Sequence, residues 1–423
     1  MNYDVVIIGA SFSGLTLAHH LPPTLKILVV DSKKALDACV ESTGLITQAT
    51  FDLLSEFVDL KKFIPNQINS IGVIGTDFKR NFFSYTKTPW IYSTDTPQLI
   101  KHMSETLPAN VTLRITTKYL SYNDTNADTY PLAINLKTTS DTETVNAKFL
   151  VGADGAKSSV AASNSKLSKN KKFLVGLEKA FYGDITFGPH PTQAVYHYWF
   201  GEFSLGYGGW LSPSIINGRN AFRLGIAKLS KNARDLTKVD AFIKKLQTKK
   251  MIKIAHDNEP ILTFGSLIPL SGPLRKVFDK NTLLLGDAAG LCGAFAADGI
   301  KGAVVSGQVA AKLIPRYLAG DKQALKKYYP EIQKYNQLMT YYRKQVLYRF
   351  VWDLMKRDRT FDAMFDIIAK AKHEFLNQFC DSKDRHKSLI GIVLKVKNLP
   401  ALAKYALLIF LDQFLWYNKD CNI

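Results

Sequence analysis

The spacing of apolar residues changes along the chain, and each change marks a different kind of element. Residues 4–10, DVVIIGA, form an unbroken apolar run, the pattern of a parallel strand covered on both faces. A helix is expected directly after it, with Ser13 as a cap and Leu15, Leu17 and Ala18 as its apolar surface. Pro22-Pro23 stops that helix before a second buried strand, KILVVD, at 26–31. Such a βαβ opening puts a ligand at the carboxyl ends of the strands. Residues 97–119 predict a helix and then a strand, and 133–152 predict two strands around a polar turn. From 170 to 265 the pattern shifts to short aromatic and β-branched runs, such as AVYHYWF and NAFRLGIAKL, which predict an antiparallel sheet. Beyond 300 the period is helical, with much Lys, Leu and Tyr and little Gly.

Composition narrows this picture. With 423 residues and 46% hydrophobic content, the chain can bury one large core or two to three smaller ones. The formal net charge is +19, and residues 301–423 hold 22 Lys+Arg against 11 Asp+Glu. That field favours anionic partners, either a phosphate-rich cofactor or an anionic membrane surface. Nucleic acid is not expected, because no helix-turn-helix, zinc-finger spacing or RNA-binding aromatic signature accompanies the charge. Cys39, Cys292, Cys380 and Cys421 stand far apart, which argues against a disulfide scaffold, an iron–sulfur cluster or a metal site. The first residues enter a strand without a charged leader or cleavage site, so a cytoplasmic location is expected, with a peripheral hold on the membrane in view.

Three motifs carry chemistry. Gly9-Ala10-Ser11-Phe12-Ser13-Gly14 has the G-x-G-x-x-G form, with Ser11 in the middle glycine position, where the first strand turns into the first helix. Small residues are needed there because backbone N–H groups and the positive helix end must approach a pyrophosphate closely. Asp31, at the end of the second strand and followed by Ser32, stands near the offset at which an acid bonds ribose hydroxyls; it would repel a 2′-phosphate, so FAD or an NAD-like nucleotide is expected and NADP is not. The second motif is Val151–Val160, with Asp154 at its turn. The third is Leu284-Leu285-Gly286-Asp287-Ala288-Ala289-Gly290, continuing to Asp298-Gly299-Ile300.

In this order the three motifs resemble the FAD signature of the glutathione-reductase-type superfamily, in its para-hydroxybenzoate-hydroxylase-like branch, over roughly residues 1–330. The resemblance implies an α/β fold: a Rossmann-like FAD-binding domain, an inserted antiparallel β-sheet substrate domain and a C-terminal helical region. The expected division assigns 1–60, 93–169 and 266–330 to the FAD-binding domain, 61–92 and 170–265 to the substrate domain, and 331–423 to the helical region. It also implies that Gly9 to Gly14 hold the pyrophosphate, that Asp31 and Ser32 meet the adenosine ribose, and that Asp287 with Gly286 meets the riboflavin chain. Gly299 and Ile300 then lie beside the flavin ring, and Asp154 has a mainly structural role with a part in cofactor binding.

The reaction is read from smaller signs. Class-A aromatic hydroxylases usually carry His after G-D-A-A, whereas geranylgeranyl reductases usually read G-D-A-A-G, as here with Gly290. Those reductases also tend to have G-Y-x-W-x-F-P, loosely matched by Gly206-Tyr207-Gly208-Gly209-Trp210-Leu211-Ser212-Pro213 with one extra residue. A Cys-x-Gly-type element of that family corresponds here to Glu41-Ser42-Thr43-Gly44, with Cys39 displaced. The resemblance therefore implies reduction of prenyl-lipid double bonds, with Tyr207 and Trp210 in the substrate pocket and electrons from NAD(P)H or a ferredoxin-type protein. A flavin monooxygenase acting on a hydrophobic or aromatic substrate is the alternative, and a flavin-binding sensor without turnover a third reading. A halogenase lacks its W-x-W-x-I-P run. No His stands in a telling context. Finally, 399–417 is apolar but broken by Lys404 and Asp412, so it reads as an interfacial or a buried helix, with Lys383, Arg385, Lys387, Lys395 and Lys397 as a basic flank.

Overall fold

The computed structural model describes residues 1–38, 42–125, 127–199, 201, 206–230, 238–255, 259–379 and 398–415. The opening apolar run becomes the strand Asn2–Ile8, and its Val5, Val6 and Ile7 are fully buried. It is flanked by parallel neighbours Thr142–Gly152 and Ile27–Val30, with Thr282–Leu284 and Val111–Arg114 parallel beyond them. Strands Phe278–Asp279, Leu132–Lys137 and Lys118–Asp124 complete this eight-stranded sheet in antiparallel pairing. The first helix, Phe12–His20, starts two residues earlier than a Ser13 cap would place it. Its N-cap is Ser11, whose side chain makes no capping bond, so no side chain occupies the first-turn amides.

A second eight-stranded sheet runs in the order Ile252–Ile254, Phe173–Ile185, Arg219–Leu229, Gly206–Ile216, Ala194–Tyr198, Ser70–Ile74, Asn81–Tyr85, and Leu262–Pro269 also pairs with Phe173–Ile185. It is antiparallel as expected, apart from one parallel pair between Ala194–Tyr198 and Ser70–Ile74. A helix not singled out in the sequence, Lys238–Thr248, lies in the same stretch. Its buried Val239, Phe242, Ile243 and Leu246 have helical spacing, a signal that the surrounding aromatic runs obscured. A small three-stranded sheet joins Leu45–Thr47, Ile91–Ser93 and Asn66–Ile68.

Beyond 300 the described residues are largely helical, beginning with Ile300–Leu318, which packs on the first helix. Helices Leu338–Leu354, Asp358–Ala369 and Leu399–Leu415 follow. The last of these is two-faced. Tyr405 and Asp412 are buried, while Leu407, Phe410 and Phe414, on the opposite face, are 57%, 57% and 68% exposed. Asp412 interrupts the apolar run because it works inside: its Oδ2 accepts from Thr360 Oγ1 at 2.6 Å and from the backbone N–H of Lys356 and Arg357 at 3.2 and 3.3 Å. An acid there satisfies amides at the start of Asp358–Ala369 and suits its positive end. The basic flank at 383–397, and Trp416 and Tyr417, lie outside the described residues.

Replacing Asp412 should therefore loosen the last helix. Asp412→Ala is expected to cost about 2–3 kcal/mol, the scale of a buried charge-assisted network, and to expose 399–415 to protease before the rest of the chain unfolds. Unchanged urea unfolding and an unchanged digestion pattern would show that the helix is held by its apolar contacts alone.

Candidate functional site

Three segments far apart in the chain meet where the first sheet ends. Gly9 has φ +108°, and a Cβ on Gly14 would lie 1.9 Å from the Gly9 carbonyl oxygen, so the turn closes only with glycine at these points. Asp31 closes it from outside: its Oδ2 accepts from Ala10 N at 2.8 Å and its Oδ1 from Lys33 N at 2.8 Å, while Ser32 is exposed. Asp154 instead ties down the start of the short helix Ser159–Ser163, whose cap is Ser158, accepting from Ser159 N at 2.6 Å and Val160 N at 3.1 Å. Burial raises its carboxyl above the ordinary range, and it is not on the wall of the cavity described below.

The third motif forms a tight turn, Gly286–Ala289, pinned by Gly286 N donating to Ser306 Oγ at 3.0 Å. Gly290 ends it in the left-handed region at φ +72°, and a Cβ there would lie 2.1 Å from the Gly272 carbonyl oxygen. A histidine at 290 would be both strained and blocked. The Asp287 side chain makes no hydrogen bond among the described residues and faces the cavity, and burial lifts its pKa to about 6. Gly299 and Ile300, at the start of helix Ile300–Leu318, line the same cavity together with Lys301. The preceding loop holds Ala297 at φ +57°, unfavourable for a non-glycine residue. It is fixed by Gln345 Oε1, which accepts from Phe295 N and Ala296 N at 3.1 and 2.7 Å. Uncapped helix amides, a backbone-close turn and a buried acid without a protein partner fit the pyrophosphate and polyol chain of FAD.

From these motifs a cavity of about 400 Å³ extends to the second sheet. Tyr207 and Trp210 both line it, edge to face with ring centres 6.0 Å apart. The extra residue noted between them is a β-bulge: Gly206 pairs with Lys228 and Gly208 with Ala227, leaving Tyr207 unpaired and aimed inward. The Tyr207 hydroxyl donates to the Ala296 carbonyl at 3.2 Å, and burial raises its pKa, so it keeps its proton. Trp210 Nε1 donates to Glu178 Oε2 at 2.8 Å.

Sequence reasoning missed the remaining polar wall. Glu178 and Arg223 are buried and joined at 2.7 Å through Arg223 Nε. Thr43 Oγ1 also donates to Glu178 at 2.5 Å, and the Arg223 guanidinium donates to the Thr43 and Ser42 carbonyls at 2.8 and 3.0 Å. The pair thus fastens the Ser42–Gly44 segment to the second sheet. Cys39 and Glu41 lie outside the described residues. His197, passed over among scattered histidines, also lines the cavity, and desolvation pushes its pKa down to about 4.

The fold and this site are those of an FAD-dependent oxidoreductase. The chain belongs to the family described as FAD binding domain, whose model matches residues 2–340. Among curated proteins it is similar to digeranylgeranylglycerophospholipid reductase 3 of Methanosphaera stadtmanae, 22% identical and covering 93% of this chain and 95% of that protein. A digeranylgeranylglycerophospholipid reductase of Methanococcus aeolicus is likewise 22% identical, with 95% and 97% covered. Among solved structures, a geranylgeranyl bacteriochlorophyll reductase-like protein from Thermoplasma acidophilum shares the fold with TM-score 0.74 at 19% identity, covering 98% of this chain and 99% of that one. The p-nitrophenol 4-monooxygenase of Pseudomonas putida shares it with TM-score 0.65 at 15% identity, covering 90% and 98%.

The Asp287 carboxyl makes a testable link between pH and stability. Its folded pKa near 6, against an ordinary 3.8, means that the native state binds more protons between those values. The cost of burying its charge is therefore absent below about pH 4 and fully present above about pH 6. Asp287→Asn should raise the thermal midpoint of the apoprotein at pH 7 but not at pH 4, and should weaken FAD retention at pH 7. An equal shift at both pH values would remove Asp287 as the titrating group.

Proposed function

We propose that this enzyme saturates C=C bonds of a prenyl lipid of the geranylgeranyl type. The observation that carries the reading is the cavity that continues from Asp287 and Gly299 into a wall of Val195, Trp199, Trp210, Phe264, Phe295 and Trp352. Such a wall suits a long apolar chain and excludes water from the reacting carbons. Gly290, where the aromatic hydroxylases carry His, and the names of the full-length relatives support the same reading.

In this reading Gly9 to Gly14 receive the FAD pyrophosphate on the open end of helix Phe12–His20, and Asp31 meets the ribose beside Ala10. Asp287 accepts from the riboflavin chain, and the amides at Gly299 and Ile300 lie beside the ring. Bound FAD supplies hydride chemistry, drawing electrons from NAD(P)H or a ferredoxin-type protein. Tyr207 and Trp210 hold the substrate against the ring. Tyr207 acts by position, since its phenol keeps its proton, and His197, neutral at pH 7, is not an acid there. Residues 61–92 and 170–265 form the substrate domain on this view, and 331–423 a helical region that closes it. The monooxygenase likeness favours one alternative, oxygenation of a hydrophobic or aromatic substrate in the same cavity.

The reductase also meets its substrate at a membrane surface. No described helix is long and apolar enough to cross a bilayer. The face carrying Leu407, Phe410 and Phe414, with Leu347 and Phe350 exposed on helix Leu338–Leu354, suits insertion at the interface, aided by the chain's positive charge.

Two measurements follow. The holoenzyme, reduced chemically under nitrogen and given a geranylgeranyl lipid, should yield product heavier by one hydrogen pair per bond; a gain of an oxygen atom, with strict need for oxygen, transfers the assignment to a monooxygenase. The full-length protein should co-sediment with phosphatidylglycerol-containing vesicles, less so in high salt. The double variant Phe410→Ser/Phe414→Ser should lose most of that binding, and equal sedimentation of variant and parent would rule out this face as the anchor.

A further inference from the structure

A basic face lies directly behind the Gly286–Gly290 turn. Two segments build it, 166–172 and 270–276, and hydrogen bonds hold them side by side. Ser168 N donates to the Lys276 carbonyl at 2.8 Å, Leu270 N to the Lys172 carbonyl at 2.9 Å and Lys276 N to Ser168 Oγ at 3.1 Å. Lys166, Lys169, Lys171, Lys172, Arg275 and Lys276 are thereby gathered with their side chains exposed. None of the six has an ion-pair partner among the described residues, whereas Lys179 and Lys280, which follow the two segments in the chain, are each paired with an Asp at 2.7 Å. No acid stands between Asp154 and Glu178 or between Glu259 and Asp279, so neither segment balances its own charge. Both segments also grip the cofactor turn. Leu274 N donates to the Ala289 carbonyl at 3.0 Å, and Asn170 Nδ2 donates to the Asp287 carbonyl at 2.8 Å. The face is thus one hydrogen bond away from the backbone of Asp287, whose side chain lines the cavity.

Like charges held close together repel one another, and a surface of this kind favours an anionic partner and speeds its approach. Its surroundings narrow the partner. The open groove between the segments is lined by Lys169, Lys171, Lys172 and Arg275 together with Leu, Ser and Pro. It offers neither an aromatic ring to stack on a nicotinamide nor a carboxylate for ribose hydroxyls. None of the large apolar side chains exposed among the described residues lies on either segment, so the face lacks the anchors for a lipid surface that the C-terminal helices carry. What fits is the acidic surface of another protein, and the position behind the cofactor turn gives that partner a purpose. We propose that this face docks a small acidic electron-carrier protein, which reduces the FAD held on the other side of the Gly286–Gly290 turn. Two carrier molecules each give up one electron and are oxidised, and the FAD takes up the two electrons with two protons from water. The inference rests on the FAD-dependent class of the enzyme and not on the prenyl-lipid reading, and its test uses no substrate.

Calorimetric titration of the oxidised holoenzyme with an acidic [2Fe–2S] ferredoxin and an acidic flavodoxin tests it, with cytochrome c as a basic carrier of similar size. At least one acidic carrier should bind at low ionic strength and let go as salt is raised, and cytochrome c should not bind. The triple variant Lys171→Gln/Lys172→Gln/Arg275→Gln should weaken that binding roughly tenfold or more, while keeping its flavin content and its reduction by dithionite. A control, Lys244→Gln/Lys249→Gln/Lys253→Gln, removes as many exposed charges beside the far end of strand Phe173–Ile185, where Lys253 pairs with Asp184, and should bind like the parent. Failure of both acidic carriers to bind, unaltered binding by the first variant, or equal weakening in the two variants overturns the proposal. If the first variant keeps carrier binding but loses flavin reduction by NADPH or sedimentation with phosphatidylglycerol vesicles, the face belongs to a dinucleotide or to lipid and the proposal falls.

Discussion

Everything in this molecule depends on three backbones approaching more closely than side chains ordinarily permit. The turn Gly9–Gly14 lies far upstream of the turn Gly286–Gly290 and of the helix that begins soon after it at Ile300. Yet Gly286 bonds to Ser306, and a Cβ on Gly307 would lie 2.8 Å from the Ser13 carbonyl oxygen. Contact at that range between the first helix and Ile300–Leu318 aligns their starts at one end of the parallel sheet. Two positive helix ends then border the same cavity, an arrangement that suits an anionic cofactor. A bulkier residue at any of these points would push the helices apart and separate the turn from Asp287.

The charges buried around the cavity sort by whether the protein completes them. Glu178 and Arg223 are fully bonded and tie strand to loop; removing either partner would leave the other charge buried and alone, which is why such pairs hold geometry more than they add stability. Asp287 is the opposite case, an acid turned to the cavity with its pKa lifted because nothing nearby favours its charge. Asp412 belongs with the first group although it lies far from the cavity, since its bonds orient the helices behind the cavity wall. The completed groups Glu178, Arg223 and Asp412 build the frame, and Asp287 faces the cavity.

This division also explains what could be read from the sequence. Cofactor motifs are legible because their chemistry demands small residues in one contiguous turn, as at Gly9–Gly14 and Gly286–Gly290. The buried opening strand and the two sheets were legible from period alone. The substrate wall was not, because it is assembled from alternate residues of strands distant in sequence: Glu178, His197 and Arg223 each look ordinary until pairing brings them together. The extra residue before Trp210 was visible as a departure from a motif, but only the register of Gly206 and Gly208 turns it into a bulge that aims Tyr207 inward. Asp412 was read as a break in an apolar helix, since its partners lie some fifty residues upstream.

The limit of the family match has a structural meaning. The FAD binding domain model ends at residue 340, and helix Leu338–Leu354 begins there. That helix nevertheless supplies Tyr341, Arg349 and Trp352 to the cavity wall and, through Gln345, holds the loop ahead of Gly299. The family's common part therefore carries the cofactor motifs and most of the cavity wall, and the segment beyond it reaches back to add to that wall and to steady the loop ahead of Gly299. Substitutions of Arg349 or Trp352 on that helix face would reshape the cavity, whereas a change at Gln345 would also loosen the loop ahead of Gly299. The fold alone does not fix the reaction, since the solved structures that share it include both a geranylgeranyl bacteriochlorophyll reductase-like protein and a p-nitrophenol 4-monooxygenase.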